Sequence, residues 1–136
     1  MKEPYMIGGY KVEETLHDNP SWGAVYRVTP PALPGLSLAL KEANENGRER
    51  LEIEKKVLLK LKGHPNIVDI VYAGETDDHF TYLVEDYMPH TLREVIKANP
   101  QGIGYENALE ITAQILEGLE YAHNKEITHR DIKPGN

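Results

Sequence analysis

The chain has no cysteine in its 136 residues, which excludes a disulfide framework, a thiol nucleophile and a thiolate-bound metal. Long apolar runs are also missing. The longest uninterrupted one covers residues 70–73, far short of the roughly 18 residues that a membrane-spanning helix needs. The first nine residues carry Glu3 and Pro4 and have no apolar core of the secretory kind. Positive charge is in the minority, with 15 Lys and Arg against 22 Asp and Glu for a formal net charge of −7. An acidic surface repels phosphate polymers and anionic lipid, so neither nucleic acid nor membrane is expected as a partner. There is no internal repeat and no low-complexity tract. What remains, 40% hydrophobic and 27% charged residues in a length of about one domain, has the composition of a globular protein, and a cytoplasmic location is expected.

Strand-forming segments occupy 10–16, 24–28 and 38–40, separated by Asp18-Asn19-Pro20-Ser21, by Pro30-Pro31 and by Pro34-Gly35. The spacing predicts three antiparallel strands joined as hairpins. A helix follows over 48–62, where Leu51, Leu58 and Leu61 recur at helical intervals beside Val57, and Gly63-His64-Pro65-Asn66 stops it. Two further strands are predicted over 67–73 and 80–85, joined by Glu75-Thr76-Asp77-Asp78. A short helix spans 92–98. A longer one spans 107–123, with Ala108, Ile111, Ile115, Leu119 and Ala122 on one stripe. Five strands with one helix among them, leading into a helical second half, make an α+β fold and not a repeating βαβ one.

The segment richest in chemistry is the last, His129-Arg130-Asp131-Ile132-Lys133-Pro134-Gly135-Asn136. Its carboxylate can accept a proton from a hydroxyl, its ammonium can neutralise a transferring phosphoryl group, and its amide oxygen can hold Mg²⁺. The plainer alternative is a polar tail in which Pro and Gly serve only the loop. The eight residues in order resemble the catalytic loop of the eukaryotic-type protein kinases, His-Arg-Asp-x-x-x-x-Asn. The resemblance implies that Asp131 is the catalytic base and that Asn136 is a Mg²⁺ ligand. Lys133 is similar to the lysine of the serine/threonine branch.

Other landmarks of that family appear in order. Leu38-Ala39-Leu40-Lys41 resembles the strand whose lysine grips the α- and β-phosphates of ATP. Strand alternation places Lys41 and Ala39 on one face, a cation beside a small residue that leaves room for a flat ring. The alternative is an ordinary lysine at a strand end. Glu54 lies on the apolar stripe of the first helix, three residues after Leu51 and four before Leu58. A carboxylate facing a core needs a partner; Lys41 is the candidate, and the resemblance implies the same pair. Glu52 is the fallback. The 13-residue interval from Lys41 to Glu54 predicts a tight loop before the helix.

One landmark departs from the family. Where the resemblance implies Gly-x-Gly-x-x-Gly-x-Val, this chain reads Asp18-Asn19-Pro20-Ser21-Trp22-Gly23-Ala24-Val25, retaining only Gly23 and Val25. Proline removes an amide donor and a carboxylate repels phosphate, so a weakened phosphate grip is expected. Leu16 and Val25 are expected to sandwich the adenine with Ala39. Residues 82–88 resemble the hinge, which implies adenine contacts through the backbone of Asp86 and Met88, with Glu85 as a polar gatekeeper and Thr91 near the ribose. His64 and His123 read as structural, and the resemblance implies that His129 supports the loop.

The family resemblance implies an N-lobe over 1–87 and the start of a C-lobe over 88–136. The expected architecture is a five-stranded antiparallel sheet with one helix, followed by the first helices of a helical lobe. The family's Asp-Phe-Gly segment, activation loop and later helices find no counterpart in these 136 residues. A C-terminally incomplete serine/threonine kinase is therefore the expectation, with ATP and Mg²⁺ as cofactors and a protein Ser/Thr hydroxyl as acceptor. The 136 residues alone are expected to transfer little. The uncovered stripe of the long helix is expected to promote self-association. The rival reading is a pseudokinase-like nucleotide-binding or regulatory module without transfer activity; a small-molecule phosphotransferase of the kinase-like superfamily ranks below both.

Overall fold

A computed structural model describes residues 5–136, so the first four residues of the expected 1–87 lobe lie outside the described residues. Gly8 and Gly9 both take positive φ, 53° and 86°, as a two-residue hairpin turn matched to twisted strands requires. They reverse the chain between β1 (Met6–Ile7) and β2 (Tyr10–Asn19). The strands β3 (Gly23–Thr29) and β4 (Leu38–Ala43), the helix α1 (Glu45–Leu61), and the strands β5 (Ile70–Glu75) and β6 (Thr81–Asp86) follow. The strands form one antiparallel sheet in the order β1-β2-β3-β4-β6-β5. The expected five strands are thus six among the described residues, and the addition is the short β1 that the Gly8-Gly9 turn folds back on β2.

Strand alternation divides the sheet into two faces. Ile7, Val28, Leu38, Leu40, Tyr82 and Val84 cluster on one. Ala43 and Leu83 lie on the other and pack with Ile70 and with Leu51 of α1. Leu40, Leu83, Val28 and Val84 are sealed from solvent, each worth about 1.5–3 kcal/mol of burial.

α1 begins at Glu45, earlier than the predicted 48. Asn44 is its N-cap, and its side-chain oxygen accepts from the N–H groups of Asn46 and Gly47 at 3.0 and 3.1 Å. The apolar stripe starts only at Leu51, so periodicity alone placed the start too late. A single residue joins β4 to α1, which is the tight loop expected from the interval between Lys41 and Glu54. β5 starts at Ile70 and not 67 because the Ile67 N–H turns back to the His64 carbonyl at 3.1 Å.

Gly47 carries a testable consequence. A Cβ at this position would stand 2.1 Å from the Trp22 carbonyl oxygen, so helix and hairpin would have to part. Gly→Ala inside an exposed helix ordinarily gains about 1 kcal/mol. Gly47→Ala is expected to lose roughly 1–3 kcal/mol by overpacking, measured as a lowered denaturant midpoint; a gain would show that the contact yields freely.

The described residues divide into two compact units. The first takes in the chain up to Lys62 together with Val68–Tyr87. The second joins Gly63–Ile67 to Met88–Asn136 and holds α2 (Leu92–Ala98) and α3 (Tyr105–Asn124). Residues 63–67 belong with α3 for identifiable reasons. The His64 ring lies 4.7 Å from that of Tyr121, Asn66 Nδ2 donates to Glu117 Oε2 at 2.9 Å, and Gly118 leaves room for the Asn66 carbonyl. Along the α3 stripe Ala122 is buried, Ala108, Ile111 and Leu119 are half-buried, and Ile115 is exposed, as are its neighbours Leu109 and Leu116. Among the described residues no helix is long and apolar enough to cross a membrane.

Candidate functional site

In the first unit the sheet register builds a charge cluster. Lys41 of β4 stands opposite Val25 of β3 and Leu83 of β6, while Ala39 stands opposite Glu85. Lys41 and Glu85 are therefore diagonal neighbours on the face that α1 covers, a separation that long side chains bridge. Lys41 Nζ lies 2.6 Å from Glu54 Oε1 and 2.8 Å from Glu85 Oε1. The pairing of Lys41 with Glu54 is the one the sequence indicated. Glu52, the fallback, instead pairs with Lys55 one turn on.

Glu85 as a second acid on Lys41 was not foreseen. The family resemblance marks it only as the gatekeeper position, and strand parity alone cannot show that β6 lies beside β4. Burial opposes the charge on Lys41, but Glu85 and then Glu54 outweigh it and hold the ammonium above the ordinary lysine range. Burial pushes the Glu85 carboxyl up, and the attraction of Lys41 only partly offsets this.

The turn between β2 and β3 occupies the place of the Gly-rich loop, and its amides are already in use. The Ser21 N–H donates to Asn19 Oδ1 at 2.9 Å and the Trp22 N–H to the Asn19 carbonyl at 3.1 Å, while Pro20 has no N–H. Asn44 then ties this turn to α1: its Nδ2 donates to the Pro20 carbonyl at 3.0 Å and its backbone N–H to the Trp22 carbonyl at 2.9 Å. The Trp22 ring stacks on His17 at 6.0 Å and sits 5.9 Å from the Arg50 guanidinium carbon. Beneath it a cavity of about 200 Å³ is lined by Trp22, Val25, Lys41, Arg50, Leu51 and Glu54, among others.

The other expected nucleotide residues are placed as follows. Ala39 is buried and Val25 half-buried, on the same face as Lys41. Leu16 lies in the bulge between Thr15 and His17 and is exposed. Gly23 is fixed by its φ of 140° and by the Glu42 carbonyl, which a Cβ would meet at 1.9 Å; close packing of β3 on β4 therefore accounts for this glycine. Asp86 ends β6, and its N–H donates to the Asp69 carbonyl at 3.1 Å. Met88 is exposed. Thr91 is the N-cap of α2, and its hydroxyl is engaged with Glu94 in a capping box.

In the second unit the loop over 129–136 gathers the remaining candidates. Lys133 Nζ lies 2.7 Å from Asp131 Oδ2, and Asn136 Nδ2 donates to the Asp131 carbonyl at 2.6 Å and to Oδ2 at 3.1 Å. His129 Nδ1 accepts the Asp131 N–H at 3.2 Å, the loop support expected of it. Pro134 anchors the segment by accepting the Arg93 N–H of the first turn of α2 at 2.6 Å. Arg130 takes a φ of 66°, a left-handed conformation that costs a non-glycine residue about 1–3 kcal/mol. Donation from Lys133 and then Asn136 holds the Asp131 carboxyl below the usual carboxylate range. It is therefore ionised at neutral pH and able to accept a proton.

The donor set here also suits Mg²⁺. With its nitrogen turned to Asp131, Asn136 keeps its amide oxygen as an acceptor beside a carboxylate. Among the described residues no three acidic or histidine side chains converge, and Mg²⁺ asks for only one or two protein oxygens besides water and phosphate.

A probable serine/threonine-protein kinase, an MRK1 homolog of Encephalitozoon cuniculi, is 43% identical over 77 residues, 54% of this chain and 24% of that protein. The cell division control protein 2 homolog 3 of Trypanosoma brucei brucei is 30% identical over 120 residues, 85% of this chain and 38% of that protein. Serine/threonine-protein kinase PrkC of Bacillus subtilis is 46% identical over 74 residues, 54% of this chain and 11% of PrkC. The chain thus spans well under half the length of these relatives. The crystal structure of a mutant PknI kinase domain of Mycobacterium tuberculosis superposes with a TM-score of 0.72 at 26% identity, covering 100% of this chain and 57% of that one. With the protein kinase domain model matching residues 22–136, on a fold that also matches, the chain belongs to the protein kinase domain family.

Proposed function

We propose that this chain carries the ATP-binding sheet and the catalytic loop of a serine/threonine protein kinase. In this reading the whole protein moves the γ-phosphoryl group of ATP to a Ser or Thr hydroxyl of a protein substrate. The observation that carries it is the Lys41–Glu54 contact at 2.6 Å, which joins two residues singled out separately from strand parity and helix period. Residues 1–87 act as the N-lobe and residues from 88 onward as the start of the C-lobe.

Each residue then has a task. Lys41, steadied by Glu54, holds the α- and β-phosphates. Val25, Ala39 and Leu16 bound the adenine, and the backbone of Asp86 and Met88 reads its edge. Gly23 keeps the β2–β3 turn close to β4. Asp131 orients the acceptor hydroxyl and takes its proton, which leaves the oxygen free to bond to phosphorus as the bond to ADP breaks. Lys133 offsets charge on the moving phosphoryl group. Asn136 would hold Mg²⁺ through its amide oxygen, and the metal, when bound, neutralises phosphate charge. With the amides of Ser21 and Trp22 engaged inside their turn, the grip on phosphate falls mainly to side chains.

The test is label transfer from γ-labelled ATP with Mg²⁺ to a generic protein substrate, using the protein that carries this chain. Label recovered on phosphoserine or phosphothreonine is the expected result. Absence of both transfer and nucleotide binding would overturn the reading, and binding without transfer would support a regulatory module instead.

A further inference from the structure

Lys41 faces more negative charge than one lysine can neutralise. Two carboxylates lie within 2.8 Å of its ammonium, so the cluster is net anionic before any phosphate arrives. The two acids are not equivalent. The Glu54 side chain keeps 34% of its exposure and water screens it, whereas that of Glu85 keeps 12%. Glu85 projects from a central strand opposite Ala39, and its carboxylate is ion-paired with Lys41. If Lys41 turns toward a nucleotide, Glu85 is left buried without a counter-ion, a costly state. Arg50, lining the same cavity, has its guanidinium over Trp22 and no salt bridge to an acid among the described residues.

We infer that Glu85 competes with the phosphates of the nucleotide for Lys41, and so sets how tightly the site takes phosphorylated over unphosphorylated adenine ligands. This rests on the kinase reading and deepens it: Glu54 positions the lysine, and Glu85 restrains it. Glu85 acts through Lys41 and is a positioning residue, not a catalytic one.

The experiment compares the dissociation constants of ATP, ADP and adenosine, by calorimetry, for the wild-type protein, Glu85→Gln and Glu85→Met. Gln keeps the shape and removes the charge; Met fills the same volume without polar atoms and serves if Gln disturbs folding, which thermal melting reports. Removal of one charge 2.8 Å from the Lys41 ammonium should tighten ATP by roughly tenfold, with adenosine unchanged within about twofold. ATP and adenosine shifting together would overturn the inference, since Glu85 would then act on the adenine pocket. Unchanged or weaker ATP binding in both variants would overturn it as well. A wild-type protein that binds none of the three ligands would instead bring down the kinase reading, and this inference with it.

Discussion

Lys41→Met is expected to cut phosphoryl transfer by about 10²–10³-fold, the usual cost of removing a preorganised cation from a developing charge. The geometry predicts a second effect on the same variant. Without Lys41, Glu54 can turn to water but Glu85 cannot, so a buried carboxylate loses its counter-ion at a cost of roughly 3–5 kcal/mol. The variant can avoid part of that cost by protonating Glu85, whose carboxyl burial already holds above its ordinary value. The sign follows from linkage. A carboxyl whose folded-state pKa exceeds its unfolded value favours folding below the unfolded pKa, and that benefit is lost as pH rises through the folded pKa. The stability deficit of Lys41→Met should therefore be small in mild acid and grow as the pH is raised to neutrality. Adding Glu85→Gln should restore the melting temperature at neutral pH and leave transfer lost. Denaturation of the single and double variants across pH, with label transfer measured in parallel, checks both halves. A single variant whose stability loss does not change with pH would show that Glu85 is not held as a buried anion.

The Lys41–Glu54 contact was legible because each residue is fixed by a local period. Alternation puts Lys41 on the face of Ala39, and the 3.6-residue repeat puts Glu54 on the stripe of Leu51 and Leu58. Glu85 was not legible as a partner, since its contact depends on which strand lies beside β4 and in what register. The loop motif over 129–136 was legible, and the contacts of Asp131 with Lys133 and Asn136 close within it, whereas its anchor on the Arg93 N–H lies outside the motif. Two further features carry only weak local signals. Gly8-Gly9 marks a hairpin, but the strand before it is only two residues long. Asn44 before Glu45 marks a helix start, but Gly47 and the late onset of the apolar stripe obscured it. The turn at Pro20–Trp22 differs in kind. Its sequence announces the lost glycines, whereas its docking on Asn44 depends on a residue 24 positions away, beyond the reach of any local rule.

Asp131→Asn is the variant expected to separate chemistry from binding most cleanly. Asp131 is exposed, and its carboxylate accepts from Lys133 and Asn136. Asparagine keeps the outline and one acceptor oxygen but can neither take a proton nor balance the ammonium of Lys133. Loss of a general base of this kind costs about 10²–10⁴-fold, so transfer should fall by that factor. ATP affinity should stay within about twofold and the melting temperature unchanged, because nothing is buried or left unpaired in a dry site. The pH profile of the wild type gives an independent check. Since Lys133 and Asn136 hold the Asp131 carboxyl below the ordinary carboxylate range, it remains ionised as pH falls to that range. The acid limb of kcat should therefore lie at lower pH than a free aspartate would give. Lys133→Met removes the largest source of that depression and should move the limb upward. A limb that stays in place while activity falls would assign Lys133 to the moving phosphoryl group alone, and an active Asp131→Asn protein would show that the proton leaves by another route.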